Sequence, residues 1–181
     1  WKETVRKTGA DELEKCRRPY RRGQTAPDGV LWITAGVDTQ GHGLPFTVRG
    51  WGLDGRSWLL DHGKAESFAA LEAALFGRDW SGGDPRRAYL VVSLVVIDSR
   101  YREKECADLA RKMGSHLVKL SKGSAFKGNQ LFTVKKLDRH PVTGEILKDG
   151  LIELGSNTNL LKGRVSHAIA KAADGDEGAL Q

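Results

Sequence analysis

The sequence has little cysteine, and its two thiols show neither metal-binding nor redox spacing. Cys16 and Cys106 stand alone, with no CxxC pair and no histidine nearby at zinc spacing. We therefore predict two reduced thiols. This excludes a disulfide framework and a cysteine-based metal site.

Long apolar segments are also absent. The longest run, residues 89–97, is interrupted by Ser93 and has less than half the length of a membrane-spanning helix. Residues 1–7 are mostly charged or polar and lack the apolar centre of a secretory signal. The sequence therefore predicts neither a membrane span nor an export signal.

Two common catalytic motifs are missing as well. No GxxxxGK[ST] sequence occurs, so this chain does not encode ATP hydrolysis at a P-loop. The histidines are scattered, and none belongs to an HExxH motif. They are His42, His62, His116, His140 and His167.

What is present is the composition of one globular domain with an uneven charge. The chain has 181 residues, of which 39% are apolar and 29% charged, and its net charge is +6. Residues 111–148 contain nine Lys or Arg against two acids. Such a basic region favours a polyanionic partner, although an ordinary solvated basic surface is the alternative.

The first half of the chain predicts three strands and a helix. Strands are expected in residues 30–38 (VLWITAGVD), 45–52 (PFTVRGWG) and 56–63 (RSWLLDHG), because turn signals separate these apolar segments. Their order predicts an antiparallel meander. Residues 65–76 then place Phe68, Leu71 and Leu75 on one face of a helix.

The second half begins with the most apolar segment of the chain. Residues 89–98 (YLVVSLVVID) are apolar on both faces, which predicts a central strand covered by helices on both sides. An amphipathic helix ending at Gly114 and a short strand at 117–120 (LVKL) follow. Residues 130–138 and 145–154 then predict a basic β-hairpin, and a closing helix is expected to begin near Leu160.

This order of elements predicts an α/β domain with a mixed central sheet, flanking helices and an inserted basic hairpin. We expect residues 1–29 to be a linker, residues 30–173 to form the folded domain and residues 174–181 to be a flexible tail.

Two acids stand out because each ends a strongly apolar strand. If the strands of Asp38 and Asp98 are neighbours, their carboxylates converge and repel each other unless a cation lies between them. Oxygen ligands favour Mg²⁺ or Mn²⁺. Two such ions about 4 Å apart are a standard arrangement for phosphodiester hydrolysis. The alternative is that Asp38 is a turn residue and Asp98 a helix N-cap.

The order of several short motifs resembles a known family. The segments LWITAGVDTQ, VRGWG, SWLLDHG, VVIDSRY and LSKGSAFKG are similar, in this order, to the C-terminal nuclease domain of the tailed-phage large terminase subunit, in its phage lambda-like family. The resemblance covers most of residues 30–172. It implies a ribonuclease H-like fold and a metal-dependent endonuclease that cuts concatemeric double-stranded DNA during genome packaging.

The resemblance also assigns residue roles. It matches Asp38 and Asp98 to the catalytic, metal-binding aspartates. Our leading hypothesis is that Asp38 bridges or binds both ions and Asp98 binds one. The family's usual Gly after the Asp-Ser pair is Arg100 here. The acid that the family often carries before the last helix is replaced by Asn157 or Asn159. We expect this asparagine to hold the second ion weakly, and the alternative role is an N-cap.

Other residues are candidates for supporting roles. Asp61, placed at the end of the third strand, Lys162 and His167 are candidates for residues behind the metal ligands, although Asp61 is equally compatible with a loop acid. Glu153 and His167 are the next candidates for the third ligand. The DNA backbone is expected to contact Lys122, Lys127, Lys135, Lys136 and Arg139, without reading sequence.

The family further implies partners and a location. It implies an ATPase domain upstream in the same polypeptide, the small terminase subunit and the portal, and action in the host cytoplasm at the procapsid. Two other functions fit the same residues. One is a Holliday-junction resolvase or transposase-like nuclease, and the other is a DNA-binding module without catalysis.

Overall fold

The computed structural model describes residues 9–16, 22–23, 25–124 and 129–174. The helices are α1 (Ala10–Lys15), α2 (Phe68–Phe76), α3 (Glu103–Met113) and α4 (Thr158–Ala173). The strands are β1 (Trp32–Val37), β2 (Leu44–Trp51), β3 (Ser57–Ala65), β4 (Val92–Asp98), β5 (Val118–Ser124), β6 (Phe132–Arg139) and β7 (Ile146–Asn157).

The strands form one mixed sheet in the order β3-β2-β1-β4-β5-β7-β6. Strands β1, β4, β5 and β7 are parallel, while β2, β3 and β6 pair antiparallel to their neighbours. The predicted α/β class, the meander and the central position of β4 are confirmed. The arrangement is consistent with the ribonuclease H-like fold that the resemblance implied.

One face of the sheet carries the hydrophobic core. Side chains alternate along β1, so that Ile33, Ala35 and Val37 are buried while their neighbours are exposed or half-buried. Leu71 of α2 and Cys106 of α3 belong to the same cluster. This core face therefore lies under α2 and α3.

The opposite face is less fully covered than the sequence suggested. Leu94 and Val96 of β4 are half-buried there, and Trp32 of β1 keeps 46% of its surface exposed. Helix α4 contacts β7 and α1. The prediction that helices cover β4 on both sides is wrong for this part of the second face, because α4 packs over the later strands instead.

The basic hairpin is part of the main sheet. β6 and β7 pair antiparallel as predicted, and β7 also pairs in parallel with β5 from Glu153 to Asn157. The buried ring of His140 organises the turn between them, because its Nδ1 accepts hydrogen bonds from the amides of Val142 and Thr143. In the strand order, β6 is one of the two edge strands of the sheet, and β3 is the other.

Strand β5 is longer than its sequence predicted. It continues from Leu120 through Ser124, so the first part of the expected basic loop is a strand. Gly123 permits a close approach there, since a Cβ at this position would lie 2.8 Å from the Thr158 side chain. The end of β5 and the start of α4 are thereby in contact.

The described residues before β1 pack against the rest of the domain at two places. Ala26 and Val30 are buried in the core, and the Cys16 thiol lies 3.8 Å from the carbonyl of Ile169 in α4. Among the described residues, no helix is both long and apolar enough to cross a membrane.

Candidate functional site

Asp38 and Asp98 lie at the same edge of the sheet, as their sequence positions predicted. β1 and β4 are neighbouring parallel strands whose last registered pair is Val37 with Ile97, and each aspartate is the next residue. Because adjacent strands lie about 4.8 Å apart, the two aspartates lie side by side at this edge of the sheet.

Both carboxylates project from the second face of the sheet. Val37 and Ile97 point into the core, so the residues that follow them point to the opposite side. Asp38 is exposed and Asp98 is half-buried. The pair is therefore open to a large substrate.

Each carboxylate has one oxygen held and one oxygen open. Gln40 donates its side-chain amide to Oδ2 of Asp38 at 2.6 Å, and the Arg100 amide donates to Oδ1 of Asp98 at 3.0 Å. In the described part of the chain, Oδ1 of Asp38 and Oδ2 of Asp98 accept no hydrogen bond. These two oxygens are available to a cation.

Buried hydroxyl groups fix the strand ends that carry the pair. Thr39 is 6% exposed, and its hydroxyl donates to the backbone carbonyl of Asp98 at 2.8 Å. The fully buried Ser99 donates its amide to the carbonyl of Ser121 in β5 at 2.9 Å. The hydroxyls of Ser121 and Ser156 are 2.8 Å apart, which extends the polar network to β7. Sequence reasoning missed these residues, because isolated Ser and Thr carry no motif.

Lys122 lies next to this network but is held by two carboxylates. Its ammonium is 2.6 Å from Glu103 and 2.9 Å from Glu153. Burial acts to lower the pKa of Lys122, but its contacts with the two glutamate carboxylates outweigh that effect and raise the pKa above its usual value. Lys122 and Glu153 point to the core face of the sheet, opposite the aspartates. The predicted DNA contact of Lys122 and the predicted metal-ligand role of Glu153 stay predictions. The ion pairs of Lys122 weigh against both roles.

Asn157 adopts the N-cap role that the sequence left open. It is 2% exposed, and its side-chain oxygen accepts from the amide of Leu160 at 3.3 Å. In the sheet register, Asp98 of β4 pairs with Ser121 of β5, and Ser121 pairs with Leu154 of β7. Asn157 lies three residues beyond Leu154 along β7. That is about 10 Å along the strand. Its role as third ligand stays a prediction, and the capping contact is an independent reason for the residue.

The remaining candidates on α4 lie on its exposed surface. Asn159, Lys162 and His167 are all exposed. His167 is ten residues from the capping Asn157, which is about 15 Å along a helix axis. The helix therefore carries His167 away from the end that contacts β5.

Asp61 lies within β3, where two arginines pair with it. It is 4% exposed, and its carboxylate binds Arg22 at 2.6 Å and Arg78 at 2.8 Å. It was expected at the strand end, but β3 continues for four residues to Ala65. Because two strands separate β3 from β4, Asp61 does not lie beside Asp98.

The basic side chains of β6 are exposed but do not share one face. Lys136 pairs in register with Ile152, and Lys135 with Glu153. Lys136 therefore projects from the same face as Asp98, and Lys135 from the core face. Arg139 donates to the carbonyl of Gly144 at 3.2 Å. Lys127 lies outside the described residues.

The donor set fits a hard divalent cation in part. Mg²⁺ is commonly held by one or two carboxylates, with waters and substrate phosphates as its other ligands, and two open carboxylate oxygens meet that need. In the part of the chain that the structure describes, no group of three or more His, Cys, Asp or Glu side chains is placed to hold a metal ion. Among the described residues, the remaining ligands would therefore be neutral groups, with water or phosphate completing the site.

Comparison with known proteins decides the family. The model of the terminase large subunit gpA endonuclease domain matches residues 1–180. The chain belongs to this family. The resemblance inferred from the short motifs is thus confirmed, and the domain is a terminase endonuclease domain with a nuclease role in phage DNA packaging. No curated protein and no solved structure matches the chain.

Proposed function

We propose that this endonuclease domain hydrolyses phosphodiester bonds of concatemeric double-stranded DNA during packaging, with Mg²⁺ or Mn²⁺ bound by Asp38 and Asp98. The observation that carries the proposal is the pairing of two aspartates at adjacent parallel strand ends, each with one open oxygen. The family match supplies the nuclease class.

The bound cation supplies a Lewis acid that polarises the phosphate and makes a water molecule more acidic. The chain itself supplies position. Gln40 orients the Asp38 carboxylate, the Arg100 amide orients that of Asp98, and Thr39 holds the two strand ends together. Such fixed geometry favours catalysis, because the ligands need no rearrangement when charge develops.

In the two-ion arrangement that we propose, the second ion would be held more weakly than the first. Two carboxylates provide little negative charge for two divalent cations, and Asn157 or Asn159 would add a neutral oxygen at most. DNA phosphate would then complete the coordination. An Asn157→Asp variant keeps a favoured N-cap and should lower the Mn²⁺ concentration for half-maximal cleavage if position 157 serves the site. Asn159→Asp is the matched variant on the exposed side of the helix.

DNA is proposed to approach the second face of the sheet. The carboxylate pair is open on that face, and Lys136 projects from it. Lys127 and Arg139 remain candidate contacts. Phosphate contacts of this kind position DNA without reading its sequence. An upstream ATPase domain, the small terminase subunit and the portal are the proposed partners, at the procapsid in the host cytoplasm.

The test is a cleavage assay with supercoiled plasmid and the domain in Mn²⁺, Mg²⁺, Ca²⁺ or EDTA. We expect nicking and linearisation with Mn²⁺ and Mg²⁺ and little with Ca²⁺, whose looser coordination suits in-line attack poorly. A junction substrate run in parallel separates a duplex nuclease from a resolvase. Cleavage in EDTA at the Mn²⁺ rate would exclude the proposed mechanism.

A further inference from the structure

Two exposed residues follow Asp98 on the rim of the carboxylate site. Arg100 and Tyr101 lie between the end of β4 and the start of α3, and Tyr101 keeps 66% of its surface exposed. Neither belongs to the core. Their positions are set by the chain leaving Asp98, whose carboxylate accepts the Arg100 amide.

Arg100 carries a charge that no acid of the described chain neutralises. Its guanidinium donates to the backbone carbonyl of Gly123 at the end of β5. The nearby Arg102 is different, because Glu105 accepts from it at 3.0 Å and the Phe68 ring lies under its guanidinium. A backbone carbonyl accepts from only some of the five N–H donors of a guanidinium and carries no full negative charge. The positive charge of Arg100 is therefore available to a phosphate.

Tyr101 extends to the other side of the site. A Cβ added at Gly41, in the turn that follows Asp38, would lie 3.4 Å from the Tyr101 hydroxyl oxygen. Arg100 reaches towards β5 while Tyr101 reaches towards the β1–β2 turn. The two side chains therefore lie on either side of the position from which the Asp98 carboxylate projects.

We propose that Arg100 and Tyr101 form a substrate clamp, in which Arg100 binds a backbone phosphate of the strand being cut and Tyr101 packs against an adjacent nucleotide. This inference rests on the proposed function and adds to it the residues that place the strand. A guanidinium offers a planar pair of donors that matches phosphate oxygens. A tyrosine ring packs against sugar or base without regard to sequence.

The competing explanation is that Arg100 has only a structural role, in which its hydrogen bond to the Gly123 carbonyl joins the end of β4 to β5. The two roles differ in what they do to DNA binding. A phosphate contact releases counterions, so losing it reduces the slope of log affinity against log salt by about 0.9. Loss of a purely structural hydrogen bond changes the melting temperature and leaves the salt slope of DNA binding unchanged.

The test is DNA binding by the 181-residue chain, measured by fluorescence anisotropy with a short duplex over a salt series in EDTA. Arg100→Ala should weaken binding about tenfold, as expected for one charge-assisted hydrogen-bonded contact, and reduce the salt slope by about 0.9. Arg100→Lys should restore the slope, because it keeps the charge. Tyr101→Ala should weaken binding about fivefold with an unchanged slope, and Tyr101→Phe should bind as the wild type does.

Arg56→Ala is the matched control, since this exposed arginine lies in the β2–β3 turn at the opposite edge of the sheet. Its slope should equal that of the wild type. An Arg100→Ala slope equal to the wild-type slope, with or without a lower melting temperature, would overturn the clamp. Because binding is measured without metal, this result is independent of whether the wild type cleaves plasmid. Failure of metal-dependent cleavage would count against the proposed function alone.

Discussion

The hydroxyl of Thr39 donates a 2.8 Å hydrogen bond to the backbone carbonyl of Asp98. The bond joins the residue after the first aspartate to the second aspartate itself, where the registered pairing of β1 and β4 has ended. It therefore joins the two strand ends that carry the carboxylates, beyond the last registered pair of β1 and β4.

Removing this hydroxyl should disturb both the fold and the site. Thr39→Val keeps the shape of the buried side chain but removes the Thr39 donor and leaves the Asp98 carbonyl only the weak Cys106 thiol contact at 3.9 Å. This should cost about 1 kcal/mol of unfolding free energy. The Mn²⁺ concentration for half-maximal cleavage should rise. Thr39→Ser is the control that keeps the donor. Urea unfolding and a Mn²⁺ titration of plasmid cleavage measure the two effects, and equal titrations for Val and Ser would contradict the account.

The two neighbouring lysines of β6 should differ in their effect on DNA binding. Lys136 projects from the face that carries Asp98, and Lys135 from the core face. Lys136→Ala should therefore reduce the salt slope of DNA binding by about 0.9, and Lys135→Ala by much less. Anisotropy over a salt series separates them. Equal slopes for the two variants would indicate that DNA does not lie along the second face, and that these lysines protect an outer strand from pairing with other chains.

The sequence allowed much of this fold and half of the site to be predicted. Alternating apolar segments predicted the meander, and the continuous run before Asp98 predicted a central strand. Two aspartates at apolar strand ends predicted the carboxylate pair. These features depend on local sequence patterns, which are visible in a single sequence without an alignment of related sequences.

The rest depends on contacts between distant residues. The hydrogen bond from Thr39 to Asp98 and the network from Ser99 to Ser156 join segments that the sequence does not place together. The position of Asp61 within its strand follows from pairing with β2, and its two arginines come from elsewhere in the chain. The incorporation of β7 into the main sheet likewise follows from its pairing with β5.

Asp61 should matter for folding and not for chemistry. Asp61→Asn leaves Arg22 and Arg78 without their buried carboxylate, which should cost about 2 kcal/mol, allowing for the partial exposure of both arginines. Its rate at saturating Mn²⁺ and DNA should stay near that of the wild type. Asp28→Asn, which changes a fully exposed acid paired with Arg87, is the control for stability. A large loss of rate without a loss of stability would place Asp61 in the site instead.

The two thiols should react very differently. Burial raises the pKa of Cys106 to about 12, whereas Cys16 is only half-buried. Iodoacetamide at pH 8 should therefore modify Cys16 in the folded chain and spare Cys106. Peptide mass analysis measures both, and rapid modification of Cys106 without unfolding would contradict the buried position.

The same pKa shift predicts the direction of a pH effect on stability. The folded state keeps the Cys106 proton that the unfolded chain releases near pH 9, so this contribution to stability is lost between about pH 9 and about pH 12. Cys106→Ala should show a smaller fall in unfolding free energy over that window. An equal fall in both proteins would mean that other groups account for it.

The central claim is that Asp38 and Asp98 together bind the catalytic cation. The most direct measurement is plasmid cleavage and thermal unfolding of the wild type, Asp38→Asn, Asp98→Asn and Asp28→Asn over a Mn²⁺ titration. The wild type and Asp28→Asn should cleave and gain melting temperature with Mn²⁺, because a cation that binds only the folded state stabilises it. Asp38→Asn and Asp98→Asn should each remain folded, lose cleavage to the EDTA background and lose the Mn²⁺-dependent gain. Wild-type cleavage by either of these two variants would contradict the account.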